Sequence, residues 1–262
     1  MILSRRIRLD GVHLDSIDDK IIISGFEEEV PEETRSVIDM IGRVGSQLVN
    51  EHMSKKKVTV KFLLKVRKNN FQERSEILEK ITGWARNGRV LQSSTRPGRM
   101  LLVHCTQGPK PTDPRNWTSE YTMNFEAMER PFWENTTLAS IKSGTKAKGD
   151  VTLEVDGNLP NAISIQAKNM SGAVINKMKF TCGSYSMSFA SLALAANETL
   201  VIDYTRELIQ RIRVLQTNGS YRSVMDKRTG SDDLRTNPGT VKVSFDCERA
   251  IQLTASCYGR YA

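Results

Sequence analysis

The sequence is poor in the residues that do chemistry. It has three histidines, His13, His52 and His104, and no two are close in the chain. It has four cysteines, Cys105, Cys182, Cys247 and Cys257, with no C-x-x-C pair and no histidine at zinc-ligand spacing. No G-x-S-x-G elbow, phosphate-binding glycine loop or H-E-x-x-H helix occurs, so the common signatures of nucleophilic, nucleotide-dependent and zinc hydrolytic catalysis are missing. No apolar run reaches membrane-spanning length. The first residues, Met1-Ile2-Leu3-Ser4-Arg5-Arg6-Ile7-Arg8, lack the apolar core of a signal peptide, so the expectation is a product made in the cytoplasm without export and without membrane insertion. In that compartment the cysteines are expected as free, half-buried thiols. A Cys247–Cys257 bridge is conceivable from the sequence, but a cytosolic product argues against it.

Concentrated charge is also lacking. The net charge of +8 is shared between both halves of the 262 residues, and the only basic run is Lys55-Lys56-Lys57. A nucleic-acid reader concentrates its cations, often beside stacking aromatics, so no specific nucleic-acid binding is expected. The triplet reads as a solvated entry to a strand.

What the sequence does have is patterning. Val58-Thr59-Val60-Lys61-Phe62-Leu63-Leu64-Lys65-Val66 begins with alternation of apolar and polar residues, which predicts a strand. Asn70 and Glu73 have the spacing of a helix cap. Beyond them Phe71, Ile77, Leu78, Ile81, Trp84 and Ala85 form an apolar stripe at helical period, with Glu73, Arg74, Glu76, Glu79 and Lys80 facing away. Arg86 suits the carbonyl end of that helix, and Gly88 offers a left-handed stop. Strand, capped helix and return strand, at residues 58–91, make the organising unit.

Around it, Asp10-Gly11 marks a bend after a short strand, and residues 20–26 predict another strand. Glu27-Glu28-Glu29-Val30-Pro31-Glu32-Glu33 reads as an acidic loop. Residues 35–50 read as two short strands around Gly42-Arg43-Val44-Gly45, with a helix through Ile41 as the alternative. Residues 100–106 predict a buried strand. The prolines of 108–114 predict a loop, and alternation from Trp117 through Tyr121, Met123, Phe125 and Ala127 predicts a long strand paired across it. Residues 135–149 read as a linker or as a first edge strand. From Asp150 onward no helix is predicted. Eight short strands are expected at 151–155, 162–167, 177–182, 184–189, 199–204, 209–215, 240–246 and 251–257, an antiparallel sandwich. The fold class is therefore mainly β: a β-rich α+β domain with one main helix over residues 1–135, then an all-β sandwich over 136–262.

Candidate chemistry in the second domain is thin. Asp203 could pair with Asp156 or Glu154 as glycosidase carboxylates. Any β protein offers such sets, and the chain is read as no enzyme. A carbohydrate-binding adhesion module that recognises host cell-wall glycans is the alternative function. Such modules stack an aromatic on a sugar ring. The three tryptophans lie in the first domain, and the second has tyrosines only, among them Tyr185, Tyr204, Tyr221 and Tyr258.

The order of these pieces resembles the distal tail protein family of long, non-contractile-tailed (siphophage-type) bacteriophages. The matching pieces are Val58-Thr59-Val60-Lys61-Phe62, the R-x-x-I-L-x-x-I-x-x-W helix from Arg74 to Trp84, Leu91, the glycine turn at Gly42-Arg43-Val44-Gly45 and the aromatic junction Phe125-Glu126-Ala127-Met128-Glu129-Arg130-Pro131-Phe132. In the second half they are Leu200-Val201-Ile202-Asp203-Tyr204 and Asn237-Pro238-Gly239-Thr240-Val241-Lys242-Val243. The resemblance implies a hexameric ring at the distal end of the tail tube and a galectin-like sandwich projecting from it. It implies as partners the tail tube protein, a tail-tip or tail-associated protein, and a receptor-binding protein or host glycan, with no cofactor and no metal. The ring interface it suggests is the 37–50 arm with the strand after it: Ile41, Arg43, Val44, Leu48, Val49, Lys57, Thr59 and Lys61. The acidic 27–33 stretch departs from the pattern. The second domain lacks the long insertion of members that carry receptor-binding arms.

Overall fold

A computed structural model describes residues 6–31, 33–39, 46–67, 69–112, 120–204 and 210–262, with backbone only for 33–39 and 46–53. It is mainly β with a single α-helix among the described residues. No helix among them is long and apolar enough to cross a membrane. The chain divides into two compact units, Met1–Trp133 (with Ala262) and Glu134–Tyr261.

In the first unit, β1 (Ile7–Leu9) and β2 (Val12–His13) form a hairpin whose turn residues Asp10 and Gly11 have φ of 48° and 86°. Those positive values suit a two-residue turn that matches strand twist. The Asp10 carboxylate accepts hydrogen bonds from the backbone N–H groups of Arg89 and Val90, at 3.0 and 2.8 Å, and so pins the hairpin to the strand after the helix. Next come β3 (Ile21–Glu28), β4 (Glu33–Asp39), β5 (Ser46–Met53) and β6 (Lys56–Leu64). They are followed by α1 (Phe71–Asn87), β7 (Val90–Ser93), β8 (Arg99–Leu102), β9 (His104–Pro111) and β10 (Glu120–Ala127).

Four of these strands form a sheet in the order β3-β6-β10-β9. Alternation decides its faces. Val58, Val60, Phe62 and Leu64 of β6 and Tyr121, Met123, Phe125 and Ala127 of β10 are buried. Each such aliphatic or aromatic side chain contributes about 1.5–3 kcal/mol on leaving water. Helix α1 supplies Ile77, Ile81 and Ala85 to this core, and Trp84 meets Phe125 edge-on at 6.4 Å.

The helix forms where the stripe predicts. The Asn70 side-chain oxygen accepts from the Glu73 N–H at 3.3 Å, the expected cap. Three details differ. Phe71 is exposed, and Arg74 is buried rather than outward. Gly88 is extended, with φ −83°, not left-handed. A Cβ at Gly88 would lie 2.2 Å from Leu9 carbons, so glycine is needed there for close packing, not for a turn.

Two loop expectations are also corrected. Glu27 and Glu28 belong to β3, opposite Thr59 and Val58. Residues 108–111 belong to β9, so β10 pairs with a strand that runs through Pro109 and Pro111. β9 is the outermost strand of its sheet, where a missing N–H disrupts no ladder. The sequence-predicted 100–106 strand is broken at Val103. Its first half, β8, pairs with β7 instead.

The three-residue β11 (Trp133–Asn135) carries the chain into the second unit. There the strands are β12 (Ala139–Lys142), β13 (Lys146–Val155), β14 (Asn161–Ala162), β15 (Ser164–Asn169), β16 (Met178–Cys182), β17 (Tyr185–Phe189) and β18 (Thr199–Tyr204). They continue with β19 (Gln210–Leu215), β20 (Tyr221–Ser223), β21 (Arg228–Gly230), β22 (Arg235–Thr236), β23 (Gly239–Cys257) and β24 (Arg260–Tyr261). The stretch read as linker or edge strand is the latter, since β12 and β13 both pair with β23. The two strands expected at 240–246 and 251–257 are one strand of 19 residues.

β23 joins two layers. Its first half pairs with β13 and β16, and its second half with β12 and β15. Between them Glu248 and Arg249 are exposed, which interrupts the alternation and lets the strand bend from one layer to the other. Inward residues from both halves, including Phe180, Ile165, Leu200, Val243 and Leu253, share one core.

Candidate functional site

The surface that stands apart is the hairpin of β4 and β5. These two strands make a sheet of their own, and among the described residues neither pairs with any other strand. The two-strand reading of this segment holds, and the helical alternative does not. The strands are longer than expected. Val37 lies opposite Leu48, and Val49 sits at the register shift between Ser36 and Val37. Ile41, Arg43 and Val44, named as interface residues, lie outside the described residues. A two-stranded hairpin is marginal in water on its own, and its edges leave backbone N–H and C=O groups open to pairing.

Lys57, Thr59 and Lys61 lie on β6, on the face of the four-stranded sheet opposite α1. Lys57 is exposed, and the other two are half-buried. Lys57 pairs with Glu29 at 3.2 Å and Lys61 pairs with Glu27. Thr59 donates to Asn124 Oδ1 at 3.1 Å, and the Asn124 amide donates in turn to Gln107 Oε1 at 2.7 Å. On the same face Lys55 meets Glu126 of β10 at 2.8 Å. The face is therefore polar and its charges are matched within the chain. Exposed pairs of this kind contribute about 0–1 kcal/mol each, so they can exchange partners at little cost.

The middle lysine of the basic triplet behaves differently. Lys56 is 1% exposed and lies 3.3 Å from Glu28. Glu28 is the centre of a cluster. Its Oε1 accepts from Arg96 Nη2 at 2.7 Å and Nε at 2.9 Å, and its Oε2 accepts from Trp133 Nε1 at 2.8 Å. Burial pushes the Glu28 carboxyl upward. Donation from Trp133 and Arg96 and the charge of Lys56 outweigh it and hold the group below its usual range. Burial pushes the Lys56 ammonium the other way, below 10.5, against the pull of Glu28. Sequence reading missed this cluster. Its one signal is the alternation itself, which puts Lys56 in phase with Val58 and Val60.

In the second unit, Asp203 accepts from Arg211 Nε at 3.0 Å and Nη2 at 2.9 Å, and from Arg213 Nη2 at 2.9 Å. Arg213 also stacks over Tyr221, 3.9 Å from the ring centroid. A carboxylate gripped by two guanidiniums is an anchor between β18 and β19. Glu154 accepts from Thr240 Oγ1 at 3.0 Å, across the β13–β23 pairing. Asp156 accepts from Asn135 at 3.3 Å. The cysteines are free thiols, Cys105 half-buried and the other three buried. Burial pushes Cys247 and Cys257 up to about 12.

No family model matches the sequence. None of the curated proteins matches it either. The crystal structure of the SPP1 Dit (gp 19.1) protein, a paradigm of the hub adsorption apparatus in phages that infect Gram-positive bacteria, does match in shape. It aligns over 97% of this chain and 98% of that one, with a TM-score of 0.66 at 12% identity. The chain has the Dit fold. A Dit fold at so low an identity is intelligible, because alternation, caps and turns define it and many residues satisfy each. Chains of the phage p2 baseplate in its activated conformation, with strontium or calcium, align over 96% of this chain and 97% of theirs. Their TM-score is 0.45 at 8% identity, which is too slight to build on.

Proposed function

We propose that the protein is a structural hub of a siphophage-type tail. Six copies form a ring at the distal end of the tail tube, between the tube protein and the tail-tip protein, in a virion tail that carries the host-adhesion components. The observation that carries the reading is the β4–β5 hairpin. It is a two-stranded arm with no third strand among the described residues, on a chain with the Dit fold over nearly all its length. Ring closure supplies the missing pairing, because each arm can lie against a neighbouring copy. The interface is read as Ile41, Arg43, Val44, Leu48 and Val49 on the arm with Lys57, Thr59 and Lys61 on the polar face of β6. The role is architectural and not enzymatic, and no cofactor enters it.

The test is the solution mass of the purified protein, with negative-stain images of the same sample, alone and with the tail tube protein. A ring has six times the chain mass of 29.5 kDa and six-fold images with an open centre. Replacing residues 37–50 by a short glycine-serine turn is expected to leave a folded monomer. Intact rings from that variant would remove the arm from the interface, and Arg43→Glu tests the same contact with one side chain.

A further inference from the structure

The second unit leaves a long strand edge open. β13 pairs with β23 from Lys148 opposite Asp246 to Val155 opposite Gly239, and among the described residues it pairs with no other strand. It is the outermost strand of a layer that runs β13-β23-β16-β17-β21. From Gly149 to Val155 its other edge offers backbone N–H and C=O groups to any strand that fits. That stretch holds no proline, and its register with β23 is unbroken from Lys148 onward. Two of the usual devices that blunt an edge are thus missing from it.

The side chains of this strand read as one half of a two-fold contact. Lys148, Asp150, Thr152 and Glu154 are exposed on its outward face, while Val151, Leu153 and Val155 are buried on the other, in phase with Gly149. A second copy laid antiparallel, with Val151 opposite Val151, keeps the two faces in phase. It sets Lys148 opposite Glu154 twice, and Asp150 opposite Thr152 twice. Centring the pair on Asp150 instead sets that carboxylate against its own copy, and centring it on Thr152 sets Asp150 against Glu154. A parallel strand in register sets Lys148 on Lys148 and Glu154 on Glu154. Opposite charges across strands stabilise a pairing and like charges oppose it, so the strand selects its own copy in one register. Within the single chain Lys148 meets Asp246 at 2.8 Å and Glu154 accepts from Thr240 Oγ1 at 3.0 Å. Both contacts are at the surface, so turning to a partner strand costs little. On the inward side Leu153 falls opposite Gly149, which has no side chain to crowd it. Val151 borders a recess of about 380 Å³ that Ile141 and Phe245 also line, and Ile141 is 36% exposed there.

We infer that β13 is a self-association edge, on which two copies of the chain join by antiparallel β13–β13 pairing about a two-fold axis at Val151. The pairing makes one continuous sheet of two layers and closes an edge that would otherwise accept strands indiscriminately. Such a contact is isologous, whereas neighbours in a six-fold ring meet through two different surfaces. The pairing therefore joins free chains, or chains of two separate rings. It stands apart from ring closure, because every residue in it lies within the second unit and the β4–β5 arm takes no part.

The test is sedimentation equilibrium of the full chain at concentrations up to about 300 µM, with hydrogen exchange of the same samples. A two-fold association with Kd of about 10–300 µM is expected, as suits a contact at the small end of specific interfaces. Amide protection in 147–155 should rise with concentration. Lys148→Glu and Glu154→Lys should each weaken the association about tenfold or more, since each turns two attractive pairs into repulsive ones. The double variant Lys148→Glu/Glu154→Lys should return to within about threefold of the parent, and the two single variants should pair with each other better than either does with itself. Both positions are exposed, so the variants fold, which thermal unfolding will verify. Edge pairing without a ring stops at twice the chain mass of 29.5 kDa, and a ring without edge pairing stops at six times it, so either reading can fail without the other. Four results would each overturn the proposal: no two-fold association over this range, association indifferent to the single charge reversals, no recovery in the double variant, or protection of 147–155 that appears only when the tail tube protein is added.

Discussion

Glu28 offers the sharpest test of the physical account. It is the counter-ion of a lysine that is 1% exposed, and it also receives Arg96 and Trp133. Glu28→Gln keeps the shape and one hydrogen-bonding oxygen but removes the charge. Lys56 is then a buried cation with no counter-ion, and removing one partner of a buried pair costs about 3–5 kcal/mol. Arg96, one-third exposed, is rehydrated and adds little. The double variant Glu28→Gln/Lys56→Met removes both charges. It should regain most of the loss, since replacing a buried pair by apolar groups is near neutral. The assay is urea unfolding followed by tryptophan emission. All three tryptophans lie at or before Trp133, so emission reports the first unit, and Trp133 touches Glu28 itself. The midpoint of the single variant should fall by about 1 M or more. A loss below about 1 kcal/mol, or a double variant worse than the single one, would refute the reasoning. The pH dependence follows from the same shifts. Glu28 is held below 4.5, so its stabilisation is present above that value and is lost as pH falls through the lower folded value. Lys56 lies below 10.5 in the fold, so the cost of its buried charge is relieved as pH rises from its folded value toward 10.5.

Other outcomes are equally definite. Gly88→Ala places a methyl 2.2 Å from Leu9 carbons and should destabilise the first unit by about 1–3 kcal/mol in the same urea assay. With Cys247 and Cys257 pushed up to about 12 by burial, iodoacetamide at pH 8 should leave both unmodified in the native protein, and peptide mass mapping will read this. Full labelling should appear only in denaturant. Asn70→Ala removes the helix cap and should cost about 0.5–2 kcal/mol, again by tryptophan emission.

Much of the architecture was legible because alternation and caps are local signals. β6, α1 and, in the second unit, β16 to β19 fall where the pattern puts them. The errors have physical reasons. Acidic residues and prolines signal loops, yet Glu27 gains Lys61 across the strand, and Pro109 and Pro111 sit on an edge where no partner needs their N–H. Gly88 looked like a stop because sequence shows a missing side chain without showing Leu9 against it. Lys56 looked solvated because its counter-ion, Glu28, is distant in sequence.

The long strand β23 has a consequence for how the protein is made. Its pairings join residues far apart in sequence: Val151 opposite Val243 and Ala139 opposite Cys257. Strands β1 to β10 and the helix of the first unit have all been made once the ribosome has passed Trp133, and they can fold while synthesis continues. The second unit has no such head start. Until 239–257 emerges, β12, β13, β15 and β16 lack the strand that they all pair with, and their edges stay open. Non-local pairing of this kind folds slowly and exposes aggregation-prone edges meanwhile. Chains interrupted before β23 should thus carry a folded first unit and an insoluble second one, which makes the second unit the step that limits yield.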